Sequence, residues 1–167
     1  MPTTAKRFLR HLRIDRRDLA RAFPPEAMER IEQGVVAGER RHSAELRLAL
    51  EASLPLGRVL AGETARERAL EVFGNLRVWD TENNNGVLLY VLYADQAVEI
   101  VADRAAARAI PDAQWKAVAE ALAAAFRAGD HVEGVLAGVA RLDELLARAF
   151  PPGEDNPDEL PNRPVML

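Results

Sequence analysis

Apolar and polar positions alternate most cleanly over Ala44–Glu51. Leu46, Leu48 and Leu50 fall on one side and Glu45, Arg47 and Glu51 on the other, which predicts a strand with one wet face. The run VLLYVLY, Val87–Tyr93, is apolar on both alternate sets and predicts a central strand covered on both faces. Ala97–Ala102 reads as the next strand. Only Asp95 and Gln96 are left to turn between the two, so an antiparallel hairpin is expected. A turn that short pairs Ala94 with Ala97 and sets Leu88 opposite Asp103, which then lies beside Asn85 and Gly86.

Helical spacing accounts for most of the remainder. Thr64 and Glu67 form a capping box, and Ala65, Ala69, Val72, Phe73 and Leu76 line one face behind it. This helix joins the Ala44 strand to the Val87 strand, so the two should run parallel through a right-handed crossover. Asp15 and Asp18 suit the cap of a short helix ending near Ala22. Met28, Ile31 and Val35 mark a helix from Pro24 to about Arg41. Trp115, Val118, Leu122 and Phe126 mark another, capped by Asp112 and stopped by Gly129. Val132, Val135, Val139, Leu142 and Leu146 mark the last. Gly134 and Gly138 lie four apart on it and allow a close neighbour, at about 1 kcal/mol each in helix propensity.

The pattern is that of an α/β domain whose mixed sheet combines a parallel β-α-β unit with an antiparallel hairpin. It divides the chain into a basic helical arm (1–23), the α/β domain (24–150) and a tail (151–167) with five prolines in 17 residues, expected to be disordered.

Composition narrows the chemistry. With 49% hydrophobic and 29% charged residues the chain is globular, and with no cysteine it has neither disulfides nor thiolate metal sites. No signal-peptide h-region is visible and the longest apolar run, Val87–Ala94, is too short for a bilayer, so a cytoplasmic location is expected. The formal charge of −4 is uneven. Residues 1–21 hold seven basic side chains, among them Arg10, Arg13, Arg16 and Arg17, against Asp15 and Asp18. Such an arm either attracts an anionic surface or docks on the acidic body. Few aromatics accompany it, which disfavours nucleic acid.

The strand directions gather Arg40, Arg41, His42, Glu45, Asp80, Glu82, Asn83–Asn85, Asp103 and Arg104 at one end of the sheet. Oxygen-rich side chains of this kind suit a hard divalent cation, calcium or magnesium. Asp80, Asn85 and Asp103 are the leading candidates, and Glu45 and Glu82 the weaker ones. Strand ends are also polar without any ligand, and open α/β sheets usually bind at the opposite, carboxyl end, where Glu51 and Asp95 are the obvious acids. An EF-hand aligned on Gly86 fails, because its twelfth position is Leu92. No phosphate-binding glycine loop, zinc-protease or serine-hydrolase motif is present. The three histidines are scattered and expected at the surface; Trp79 and Trp115 are expected to pack.

GERRHSAELRLALE, the stretch ARERALEVFGNLRVWDTENNNGVLLYVLYADQAVEIVADR, then Trp115 and FRAGDHVEGVLAG together resemble the TPM domain. That family is named for a thylakoid-lumen phosphatase, a photosystem II repair factor and a modulator of levamisole receptors. The resemblance covers about residues 24–150 and implies a three-layer α/β/α sandwich. It also implies acid phosphatase activity, calcium binding or assistance to membrane complexes. Asp80, Asn85, Gly86, Asp103 and Arg104 match the family pattern, with Gly86 and Arg104 as binding residues. Ala44 replaces a usual glycine, and DRAAAR replaces the usual Asp-Arg-Gly turn. Family proteins are commonly exported or tethered, whereas this chain resembles the small cytoplasmic bacterial branch. Two functions follow: a non-enzymatic binding or assembly module for a protein partner at a membrane, cation-dependent in its action, or a metal-assisted phosphatase without an evident side-chain nucleophile.

Overall fold

The computed structural model describes residues 4–167, so expectations for residues 1–3 lie outside it. Four strands form one open mixed sheet in the order β3-β2-β1-β4. They are β1 (Glu45–Glu51), β2 (Gly86–Leu92), β3 (Ala97–Ala102) and β4 (Val165–Met166). β1 and β2 are parallel, with Glu45 opposite Gly86 and Glu51 opposite Leu92. The helix between them is α5 (Ala65–Asn75), whose Thr64–Glu67 capping box forms as the spacing predicts.

Helices cover both faces. α2 (Arg16–Ala22), α3 (Pro25–Glu39), α6 (Arg104–Ala109), α7 (Asp112–Ala128) and α8 (His131–Ala149) share one core with Leu46, Leu48 and Leu50. Each of these fully buried leucines contributes roughly 2 kcal/mol of apolar transfer. α4 (Leu56–Leu60) and α5, with Phe8 of α1 (Thr4–Arg13), enclose a second core around Ala49, Leu88 and Tyr90. The glycines of α8 serve close packing: a Cβ at Gly138 would stand 2.2 Å from Leu122 Cδ1, and one at Gly134 2.7 Å from Ala125 Cβ.

Three expectations are corrected. β1 is buried on both faces, not wet on one, because α4, α5 and the chain from Glu159 onward cover Glu45, Arg47 and Glu51. The hairpin loop has four residues: Tyr93–Asp95 form a 3-10 turn, and Gln96 takes φ 50°. Leu92 therefore pairs with Ala97 and Leu88 with Val101, a slip of two residues from the expected register. Finally, the proline-rich tail does not lie free. Its main chain hydrogen-bonds to side chains of β1, and its end adds β4 in parallel to β1. Among the described residues no helix is long and apolar enough to cross a membrane.

Candidate functional site

The amino end of the parallel strands is built by three connections. The α3–β1 turn supplies His42 and Ser43, the α5–β2 loop supplies Arg77–Asn85, and the start of α6 supplies Asp103 and Arg104. The α5–β2 loop is held by two left-handed residues, Arg77 (φ 54°) and Asn84 (φ 52°). Gly86 is required by proximity: a Cβ there would lie 2.0 Å from the Val78 carbonyl oxygen.

The three asparagines have three different fates. Asn83 is exposed. Asn84 makes the turn, accepts Ala105 N–H on its carbonyl at 2.9 Å and accepts Arg104 Nη2 on its side chain at 3.1 Å. Asn85 is fully buried; its Nδ2 donates to Ser43 O at 3.0 Å, and its Oδ1 has no partner among the described residues. Asp103 caps α6 by accepting Arg104 N–H on Oδ1 at 2.7 Å, while Asp103 Oδ2 is buried and also unpartnered. Asp103 N–H donates to Gly86 O at 2.9 Å, so the two orphaned acceptors flank one glycine. A buried acceptor left bare costs about 1–3 kcal/mol, so each is an atom suited to a donor or a cation.

Asp80 and Glu82 do not join them. Asp80 is exposed and paired with Arg77 at 3.1 Å. Glu82 is exposed, and its backbone N–H donates to Glu159 Oε2 at 2.9 Å. Glu45 instead belongs to a second acidic group with Glu39 and Asp158, whose ligand atoms lie within 4.8 Å of one another. These acids border a cavity of about 170 Å³ with Asn156 and Asn162. Burial and the neighbouring charges of Glu45 and Asp158 push Glu39 up to about 8, although Leu46 N–H donates to its Oε1 at 3.1 Å. Burial pushes Glu45 up to about 7 against the opposing N–H groups of Glu159 and Leu160. Glu39 and Asp158 carry no sequence signal: one sits inside an ordinary helix stripe, the other in a segment read as disordered.

The carboxyl end of the strands is closed. Glu51 accepts Arg68 Nε and Nη2, both at 2.9 Å, and Tyr90 OH at 2.6 Å. The basic arm docks here. Arg7 pairs with Asp95 at 2.8 Å and Arg10 at 3.4 Å. Leu54 N–H donates to His11 Nδ1 at 2.9 Å, which leaves the proton on Nε2 facing Asp95 Oδ1 at 3.1 Å. Burial alone would raise the Asp95 carboxyl, but hydrogen bonds from His11 and Arg7 hold it at about 2. Arg13, Arg16 and Arg17 are exposed and make no ion pair among the described residues, and they follow Leu9 (47% exposed) and Leu12 (57%) in the chain.

Two histidines expected at the surface are buried instead. His11 locks the arm, and the His42 ring bridges Ala44 O at 2.9 Å and Asp143 Oδ1 at 3.1 Å. Trp115 packs as expected, whereas Trp79 is half exposed under the Arg77 guanidinium, 5.6 Å from its ring centre.

A family model described as TPM domain matches residues 17–145. The chain is also similar to a solved structure, the NMR structure of the BA42 protein from the psychrophilic bacterium Bizionia argentinensis. The two are 29% identical with a TM-score of 0.75, over 85% of this chain and 93% of that one. No curated protein matches.

Proposed function

The chain belongs to the TPM domain family, and from that footing we propose that it is a non-enzymatic binding module for a protein partner at a membrane. Its partner surface is set by a divalent cation at the amino end of the sheet. The observation that carries this reading is the pair of buried, unpartnered oxygens, Asn85 Oδ1 and Asp103 Oδ2, on either side of Gly86. Both atoms only accept, and a hard cation takes amide and carboxylate oxygens of this type. The basic arm supplies the membrane side: exposed Leu9 and Leu12 are followed in the chain by exposed Arg13, Arg16 and Arg17, a combination that suits an anionic lipid surface.

Titration with calcium or magnesium, followed by backbone amide shifts, tests the cation. Movement confined to residues 80–86 and 103–104 is expected; unmoved amides sink it. For the arm, replacing Arg13, Arg16 and Arg17 together by glutamine should abolish binding to anionic vesicles. That is a cleaner change than deleting residues 1–21, which would also strip Leu19 from the core.

A second reading, metal-assisted hydrolysis of phosphate esters, is favoured by Arg104. Its exposed guanidinium is tethered by Asn84 beside Asp103, where it would hold a phosphate oxygen. The attacking group would be metal-bound water. Hydrolysis of p-nitrophenyl phosphate should then stop with a chelator and with Asp103→Ala; activity surviving that substitution comes from elsewhere.

A further inference from the structure

Without the chain beyond Glu159, β1 would be the edge of the sheet. It would then present two charged side chains, Glu45 and Arg47, two residues apart on one face, which the segment in place covers down to 3% and 8% exposure. Neither has a side-chain partner among the described residues. Their hydrogen bonds all run to the main chain of one extended segment. Glu45 Oε2 accepts Leu160 N–H at 3.1 Å, and the carboxylate also accepts Glu159 N–H. Arg47 Nη1 donates to Pro161 O at 2.8 Å and to Arg163 O. Beyond these contacts, Val165 and Met166 pair with Ala49 and Leu50, and Leu167 N–H donates to Leu50 O at 2.9 Å. Leu160 is sunk into the core around Tyr90, and Pro164 of the same segment is buried as well. Residues 151–158, which lead to this strand, are exposed throughout.

We propose that the β1 edge is a peptide groove. It takes an extended, proline-containing segment of a partner protein in parallel register, and the chain's own C-terminal segment is its resident competitor. Main-chain groups paired along a sheet edge supply affinity in strand addition, and pockets for a few side chains supply selection. Here Glu45 reads N–H groups and Arg47 reads carbonyls, so most side chains of the occupant are unconstrained. The prolines at 161 and 164 bring no N–H that the groove must satisfy, while the Pro161 carbonyl takes the Arg47 hydrogen bond and Pro164 is buried. A leucine followed by proline at the entry, with apolar residues at the positions of Val165 and Leu167, is the pattern required. The segment that fills the groove covers both charges and satisfies them with main-chain groups, and a rival strand would have to do the same.

The test uses the full chain with a protease recognition sequence in place of residues 151–155. After cleavage, a fluorescein-labelled synthetic peptide of residues 156–167 is added. The label should enter the groove and displace the cut tail. A peptide carrying Leu160→Asp should compete at least about tenfold less well, and Arg47→Met in the body should weaken the unaltered peptide by at least about tenfold, since it removes both charge-assisted hydrogen bonds to the segment. A cut tail that never exchanges under excess peptide, or a body that melts as the tail leaves, would make this strand an integral part of the fold and overturn the proposal. Dimers of the uncut chain that exchange tails, seen by light scattering, would overturn it in favour of a second copy as the occupant.

Discussion

At the carboxyl end of the sheet, Glu51 and Asp95 have each met an arginine. At the amino end Glu39, Glu45 and Asp158 face one another, and Asn85 Oδ1 and Asp103 Oδ2 face no donor. The residue types are alike; what differs is who arrives to pair with them. α1 and α5 bring Arg7, His11 and Arg68 to one end, whereas the segment reaching the other brings Asp158, a further acid. Open α/β sheets usually bind at the carboxyl end. Here that end is plugged by the protein's own arm, and the unmet electrostatic demand lies at the opposite one.

The largest effect expected from this contrast is on stability. Glu51→Gln removes the buried counter-charge of Arg68 and leaves one amide oxygen to share between Arg68 and Tyr90 OH, and should cost about 3 kcal/mol in urea denaturation, the lower end of the range for breaking a buried pair. A cost below about 1 kcal/mol would show that the network is dispensable. Next comes pH, where the two ends should fail in opposite directions. Glu39 and Glu45 bind protons more tightly folded than unfolded, so their contribution is full below about pH 4.5 and is lost as pH rises toward 7 and 8. Asp95 binds its proton less tightly when folded, so its contribution is present above about pH 4 and is lost as pH falls toward 2. Amide hydrogen exchange should therefore show residues 159–167 loosening as pH rises from about 4.5 to about 8 and α1 loosening as it falls from about 4 to about 2. A common midpoint for both would break the comparison. The smallest effect is Asp103→Asn: asparagine still caps α6, and no ion pair of real strength is lost, so stability should change by less than about 1 kcal/mol. Cation-induced amide shifts should nevertheless vanish.

The strands β1, β2 and β3, the capping box, the Gly129 stop and the closely packed glycines of α8 were legible because each rests on local periodicity or a local backbone requirement. The hairpin register was not. Nothing in Tyr93-Ala94-Asp95-Gln96 announces that four residues, the last in a left-handed conformation, make the turn. The slip of two places Asp103 directly against Gly86, where its main chain is tied. Half of the polar end was also hidden. Glu39 looks like one more charge on an amphipathic helix, and Asp158 sits among prolines that argue against any strand. Alternation misled in one respect: Glu45, Arg47 and Glu51 look solvated, yet each is buried with a partner brought from far along the chain.

Leu160 and Glu45 lie 115 residues apart. Closing so long a loop comes late in folding, after the local helices and the β1–β2 crossover have formed. During synthesis β1 emerges long before its fourth-strand neighbour, so a growing chain carries an uncovered strand edge with two unsatisfied charges. Those charges then act as gatekeepers: a flat apolar edge would invite pairing with other nascent chains, and Glu45 with Arg47 discourages it until the proper strand arrives.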